Sequence, residues 1–457
     1  MIKLLLRVRR ILITPCLIVM LLSGTLAESR QTFANLTQTA KSDASINGLT
    51  GKERVEAFEK IWRTINEKYY DAKFNGVDWN AVRERYRPRV EAAQSDEEFY
   101  SLMRRMTGEL RDAHTRFLSP RQRQQRKRLQ ATSAGVIISE VEGTPVILSV
   151  GTDSDAARAG VLPGMVVRTV DDKPIAERIK EVRDEIVASS SERAMRLLIY
   201  SRLLAGEPDT TVMLGLVRAD GTPLDVTLTR RIASAAPKVT ARLLPSGYAY
   251  IKFNRFHDPV ANEIKEALVK FKDAPGLILD LRNNGGGDGE EALRIAGFFF
   301  NEKVSFGRIL TRTGKPPSAL FGLIKFPKEF QAGRKGGQLY RAPVVILVNE
   351  ASGSASELFA SALQEQSRAS VVGTQSCGCV LGVLEHREVK GGGEFTVSEI
   401  AFLTSKGRRL EGDGVTPNET VALTLADVRS GRDAALARAE GSLRNRAEAT
   451  PRSAAAQ

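Results

Sequence analysis

The run NEASGSASELF, Asn349 to Phe359, sets Ser352, Ser354 and Ser356 between an apolar run, APVVILVN, and a helical pattern. A serine in the first turn of a helix sits beside backbone amides that have no intrahelical partner, and the helix dipole favours negative charge there. An attacking hydroxyl and the oxyanion it creates both need that setting. The same serines also suit ordinary N-caps, and this stretch alone does not choose between the two roles. A second run, LDLRNNGGGDGEE from Leu279 to Glu291, ends a strand pattern in three consecutive glycines. Successive exposed amides can cradle an anion or an oxyanion, although a plain strand-to-helix turn would read alike. Beyond the serines, GTQSCGCVLGV (Gly373 to Val383) holds Cys377 and Cys379 and no lysine.

These runs need elements to position them. From Glu53 to about Lys127 apolar residues recur at helical spacing, with Ser95 before Asp96–Glu97–Glu98 as a helix start, which predicts a helical N-terminal domain over 53–131. Over 132–232 the pattern changes to Val- and Ile-rich alternation with turns at Gly143–Thr144–Pro145 and Asp220–Gly221. That predicts a β-rich domain carrying one short helix. From 233 to 425, GYAYIKF, GLILDL and APVVILVN read as short buried strands, with VANEIKEALVKFKDA and SASELFASALQEQ as helices between and after them. Such alternation predicts an α/β core with parallel strands. Residues 426–457 read as one helix and a disordered tail.

The N-terminus carries Lys3, Arg7, Arg9 and Arg10, then the apolar ILITPCLIVMLLSG, then TLAES with Thr25 and Ala27 in a small-residue cleavage pattern. This reads as a signal peptide over 1–27 followed by a flexible lead over 28–52. The mature chain is expected to be exported, to a bacterial periplasm. An uncleaved anchor, giving loose membrane association, is the alternative. The formal net charge is +13 over 457 residues, but the basic residues are scattered. The one dense run, RQRQQRKRLQ, lacks the aromatic residues that stack on bases, so no nucleic-acid partner is expected. After removal of the signal, Cys377 and Cys379 either pair with each other or remain small buried residues. Three histidines complete no recognisable metal site, and no cofactor is expected.

Taken in order, the helical region, the β-rich region with AARAGVLPGM, LDLRNNGGG and VNEASGSASE resemble the tail-specific (carboxyl-terminal-processing) serine proteases and their tricorn-like relatives. The resemblance covers about residues 53–425. It implies an α/β multidomain fold: helical N-terminal domain, PDZ domain and ClpP/crotonase-like protease core. In the middle region SAGVII resembles a PDZ carboxylate-binding loop and strand. This implies that Ala134, Gly135 and Val136 hold the C-terminus of a protein or peptide substrate. The family nucleophile falls on Ser354, with oxyanion donors at Ala355 and at Gly286, or at Gly287 if the register shifts by one. In the Ser/Lys branch the base lies 25 residues past the serine. Here that position is Cys379, and Val383 replaces that branch's supporting glutamine. The tricorn-like branch uses histidine and glutamate instead, and LRDAHTRF and LEGDGVTP place His114 and Glu411 there. Ala113 stands where that branch has a serine.

The implied function is an exported serine endopeptidase. Ser354 attacks, His114 carries the proton and Glu411 orients His114. Lys390 and Lys406 are alternative, displaced bases. The rival reading is a catalytically inactive peptide-binding shell, and nothing in the chain sets an oligomeric state.

Overall fold

The computed structural model describes residues 48–314, 318–319, 324–325 and 329–449. The signal-peptide expectation, most of the flexible lead and the tail beyond 449 lie outside the described residues. Among the described residues no helix is long and apolar enough to cross a membrane.

Three helices open the described residues: α1 (Gly51–Lys68), α2 (Trp79–Ala92) and α3 (Asp96–Gly108). Each start has a side-chain cap. Thr50 forms a capping box with Glu53, and Asp78 and Ser95 accept amides of the first turns that follow them. Phe58, Ile61, Val82, Phe99 and Met103 fill the space between the helices, but the same cluster also takes in Phe117, Phe395 and Val397. The helical region is therefore packed on a sheet. That sheet begins with strand β1 (Arg116–Leu118), which is followed by α4 (Pro120–Lys127).

Next, β2 (Gln130–Ser133) pairs with β9 (Arg231–Ser234) and so encloses residues 134–230 as one excursion of the chain. Within it lie β3 (Val136–Val141), β4 (Thr144–Val150), β5 (Val166–Val170), the short β6 (Lys173–Pro174), β7 (Thr211–Val217) and β8 (Pro223–Thr229), in sheet order β3-β4-β5-β7-β8. Helix α5 (Asp155–Arg158) is the short one expected from sequence; α6 (Ile175–Ile186) and α7 (Glu192–Arg202) were not. Ile175, Ile179, Val182 and Ile186 recur at helical spacing and pack into this region's core.

The largest sheet runs β10 (Val239–Leu243), β11 (Ala249–Phe253), β12 (Leu277–Asp280), β17 (Val344–Val348), β18 (Ala369–Gly373) and β21 (Glu419–Thr420), parallel from β11 onward. Helices α8 (Val260–Lys270), α9 (Gly289–Ala296) and α10 (Ala355–Glu365) connect or follow its strands. The run VVILV of β17 is apolar throughout because both faces are covered. Val344 and Ile346 share one core cluster with Phe359 and Leu363 of α10, while Val345 and Leu347 share another with Ala439 and Leu443. Burying each of the Val, Ile, Leu and Phe side chains here contributes about 1.5–3 kcal/mol.

A second sheet holds β13 (Val304–Thr311), β16 (Glu329–Ala332), β19 (Gly382–Glu388) and β20 (Glu394–Leu403), and β1 joins it beside β20. The small pair β14 (Ser318–Ala319) and β15 (Ile324–Lys325) lies apart. The expected single C-terminal helix is two, α11 (Leu425–Ser430) and α12 (Ala434–Ala449). Gly431 adopts φ 68° between them and ends the first.

Candidate active site

Parallel strands deliver their connecting loops to one edge of a sheet, and that edge is where such sheets bind ligands. Here the loop after β12 and the loop after β17 meet there. Gly353 N donates to Asn284 O at 3.1 Å, and the hydroxyls of Ser352 and Ser356 donate to Leu281 O and Asn284 O, both at 2.8 Å. Ser352 and Ser356 are thereby spent on structure. Ser354 remains, at the head of α10, with φ 54° and ψ −117°. A non-glycine residue in that region carries about 1–3 kcal/mol of backbone strain and stays there only if its surroundings hold it.

Two neighbours do so. Gly286, itself at φ 93°, lies so close that a Cβ on it would come within 2.6 Å of Gly353 O, 2.7 Å of Ala355 N and 2.8 Å of Ser354 Cβ. Glu357 is completely buried and accepts the Ser354 amide at 3.0 Å. Its carboxylate also accepts Ser376 Oγ at 2.6 Å, Gly378 N at 2.7 Å and Cys379 N at 2.9 Å. Burial raises the Glu357 pKa, and these four donors oppose that rise.

The two expected oxyanion donors differ in their hydrogen bonding. The Ala355 amide, first in its helix, makes no hydrogen bond among the described residues, and Gly286 keeps the space beside it clear. The Gly286 amide is occupied, donating to Asn284 Oδ1 at 2.9 Å. Among the described residues no hydrogen bond uses the Gly287 amide, so a free donor remains there.

Cys377 and Cys379 form a disulfide and are buried with Ala194. Ala113 packs against this cluster, which brings the residue preceding His114 to the loop that holds Glu357. His114 is fixed through its backbone. Its amide donates to Asp112 Oδ1 at 2.7 Å, and its carbonyl accepts Thr396 Oγ1 at 2.6 Å from β20. Burial pushes the imidazole pKa down to about 4, with Asp112 opposing and Arg116 adding to the depression.

Glu411 Oε2 accepts Val380 N at 2.6 Å, one residue past the disulfide. Burial pushes its pKa up to about 7. The Ser190 hydroxyl and the Val380 amide favour its ionised form, and the charges of Asp112 and Glu357 disfavour it. Ser190 Oγ also accepts the Ala113 amide at 3.0 Å, so one serine touches both chain segments. Ser354, His114 and Glu411 make no hydrogen bond to one another among the described residues. His114 Nδ1, Asp112 Oδ2 and Glu411 Oε1 are each buried without a partner.

The alternative bases lie elsewhere. The Lys390 ammonium is exposed and sits 3.5 Å from Glu53 and 3.3 Å from Glu56 of α1. Lys406 is exposed beside the far end of α10, its backbone amide on Glu365. His386 pairs with Glu394 at 2.9 Å.

A cavity of about 1000 Å³ lies between β3, α4, α7 and the two glycine- and serine-bearing loops. Ala134 and Val136 line it on one side, and Asn283, Asn349 and Glu350 on the other. Gly135 adopts φ 80° and donates its amide to Ser133 Oγ at 3.1 Å.

Glu357 and Asp112 are absent from the sequence reading. Each left a local signal: Ser354 and Glu357 have capping-box spacing, and Asp112 precedes two amides that it accepts.

Residues 247–421 match the model of Peptidase family S41, and residues 50–108 match that of the Tricorn protease C1 domain. The chain is similar to the carboxyl-terminal-processing protease of Synechocystis sp., 28% identical over 401 residues, covering 85% of this chain and 86% of that one. It is also similar to the chloroplastic carboxyl-terminal-processing peptidase 2 of Arabidopsis thaliana, 28% identical over 382 residues, covering 79% and 67%. Among solved structures, the photosystem II D1 C-terminal processing protease superposes with a TM-score of 0.54 at 24% identity, covering 85% of this chain and 99% of that one. Mature CPAF superposes with a TM-score of 0.67 at 13% identity, covering 88% and 98%, and establishes a shared fold.

Proposed function

Because the chain belongs to the tail-specific protease family and is a serine-type peptidase, we propose that it is an exported endopeptidase cutting polypeptides through an acyl-enzyme on Ser354. The Ser354 hydroxyl attacks the scissile carbonyl and passes its proton to His114. The carbonyl oxygen becomes an oxyanion facing the Ala355 amide and the glycine run at Gly286–Gly287. His114 then returns the proton to the leaving amine, and water releases the acyl group by the same route. Glu411 supplies the charge that stabilises the imidazolium.

The observation that carries this reading is the strained, positive-φ backbone of Ser354. It is held by Glu357 and Gly286 at the N-terminus of a buried helix, beside an unbonded Ala355 amide.

Residues 132–232 serve in this reading as a PDZ domain. Among the described residues strand β3 pairs only with β4, which leaves its other edge toward α7, and Ile137 on β3 is 58% exposed. A substrate tail added along that edge lies in the cavity whose far wall is the loop before Ser354.

Labelling with a fluorophosphonate probe, followed by turnover of unstructured peptides, tests the reading. Ser354→Ala should lose both labelling and turnover. His114→Ala should cost a similar factor in turnover, and the double variant little more, since the two act as one unit. Full activity in His114→Ala would remove His114 from the mechanism.

A further inference from the structure

Five arginines face the cavity between β3 and the Ser354 loop: Arg116, Arg121, Arg126, Arg196 and Arg255. Four are engaged. Arg121 pairs with Glu207, Arg126 lies 2.7 Å from Glu394, Arg196 lies 2.7 Å from Glu350, and Arg255 donates to Ala235 O at 3.2 Å. Arg116 makes no ion pair and no side-chain hydrogen bond among the described residues.

The position of Arg116 is set by its strand. Alternation along β1 buries Phe117 in the helical core and turns Arg116 and Leu118 into the cavity. The residue is exposed to the cavity, yet protein surrounds it closely enough that burial lowers its pKa. Arg126 adds a like charge, while Glu394 and Asp112 act from a distance. Arg116 is also near enough to His114 to lower the pKa of its imidazole. A guanidinium that opens into the cavity without a counter-ion has its planar fork free, and that fork matches a carboxylate in two parallel hydrogen bonds.

We infer that Arg116 is a specificity residue that receives a carboxylate of the substrate chain as it lies between β3 and Ser354. The carboxylate is an Asp or Glu side chain of the substrate or its free C-terminus. The inference rests on the cavity being the substrate path, as proposed above. It adds a preference for acidic substrates that neither Ser354 nor His114 can supply. The net positive charge of the chain acts in the same direction by drawing anionic chains toward the protein.

The test uses the full chain in a Ser354→Ala background and fluorescent peptides of about a dozen residues. One arm exchanges Glu for Gln at successive positions; the other compares a free C-terminus with its amide. Binding is read by anisotropy, and the same peptides are followed for cleavage with Ser354 restored.

Removing one particular carboxylate should weaken binding about ten- to hundredfold, the range for a charge-assisted hydrogen bond. Arg116→Gln should bring that factor to about one, and the arm that responds identifies the source. Arg116→Glu should reverse the preference, so that Lys at the responsive position binds better than Glu. Arg121→Gln, which removes an arginine already paired with Glu207, should leave the factor unchanged. The inference fails if no carboxylate matters in the parent protein, or if the factor survives Arg116→Gln. Absence of cleavage with Ser354 present, alongside a binding factor that collapses in Arg116→Gln, would sink the nucleophile assignment and leave Arg116 standing.

Discussion

The carboxylate of Glu357 accepts the backbone amide of Ser354 at 3.0 Å, and its other three donors all come from the segment 376–379. One buried side chain therefore ties the residue at the head of α10 to the disulfide-closed loop. The next amide along that loop, Val380 N, holds Glu411. Neutral pairing would be weaker here, because an ionised acceptor makes the stronger hydrogen bond and Glu357 makes four.

Glu357→Gln keeps the volume but leaves one acceptor oxygen and an amide group turned toward donors. We expect kcat to fall about a hundredfold, the cost of displacing a reacting group by roughly 1 Å, with KM changed far less. Glu357→Asp, which still carries a carboxylate, should recover part of the loss. Steady-state kinetics on the three proteins, with a melting curve for each, decides the matter. A Gln variant that melts lower but turns over normally would make Glu357 a purely structural residue.

Gly286 offers a sharper steric test. A methyl group there would stand 2.6–2.8 Å from Gly353 O, Ala355 N and Ser354 Cβ, on a backbone at φ 93°. Gly286→Ala should abolish fluorophosphonate labelling of Ser354 and lower turnover by more than about a hundredfold. At Gly285 a Cβ meets nothing within 4 Å, so Gly285→Ala should label within a few-fold of the parent. Equal labelling of the two alanine variants would show that Gly286 does not shape the space around Ser354.

These two residues mark how far the chain can be read unaided. Strand β17 and helix α10 are legible because burial on both faces makes VVILV continuous and small residues mark the turn that follows. Gly286 is legible as a position of close approach. The engagement of its amide by Asn284 is not, since that depends on how the loop between β12 and α9 folds back on itself. Glu357 shows its capping-box spacing, but three of its four donors lie some twenty residues away and meet it only in the folded chain. His114 is 240 positions before Ser354. No periodicity relates them; β1 joining β20 ties the His114 segment to the second sheet. Helices α6 and α7 are hard to read because the strands around them dominate the composition of that region.

The ionisation of Glu411 yields the prediction with the clearest sign. Burial drives His114 down to about 4 and Glu411 up to about 7, so between those values both are neutral. His114 is then already able to accept a proton, but the imidazolium it would become has no ionised Glu411 to stabilise it. Above about pH 7 Glu411 carries its charge, and kcat should rise through that value. Glu411→Gln should flatten the profile between pH 5 and 8 at a low rate, and Glu411→Asp should keep the limb.

Stability runs the other way for this residue. Its folded pKa lies above the ordinary 4.5, so its contribution is most favourable below that value and is lost as pH rises toward about 7. His114, depressed from 6.5, contributes most above 6.5 and loses that contribution as pH falls toward about 4. The two trends partly cancel in the parent protein, and comparison with Glu411→Gln isolates the carboxylate. The variant should gain stability relative to the parent between pH 5 and 8, by an amount on the order of 2 kcal/mol. Melting curves and rate profiles on both proteins check the sign. A Gln variant that keeps the limb near pH 7, and gains nothing in stability on going to pH 8, would assign the ionisation to another group and take Glu411 out of the proton relay.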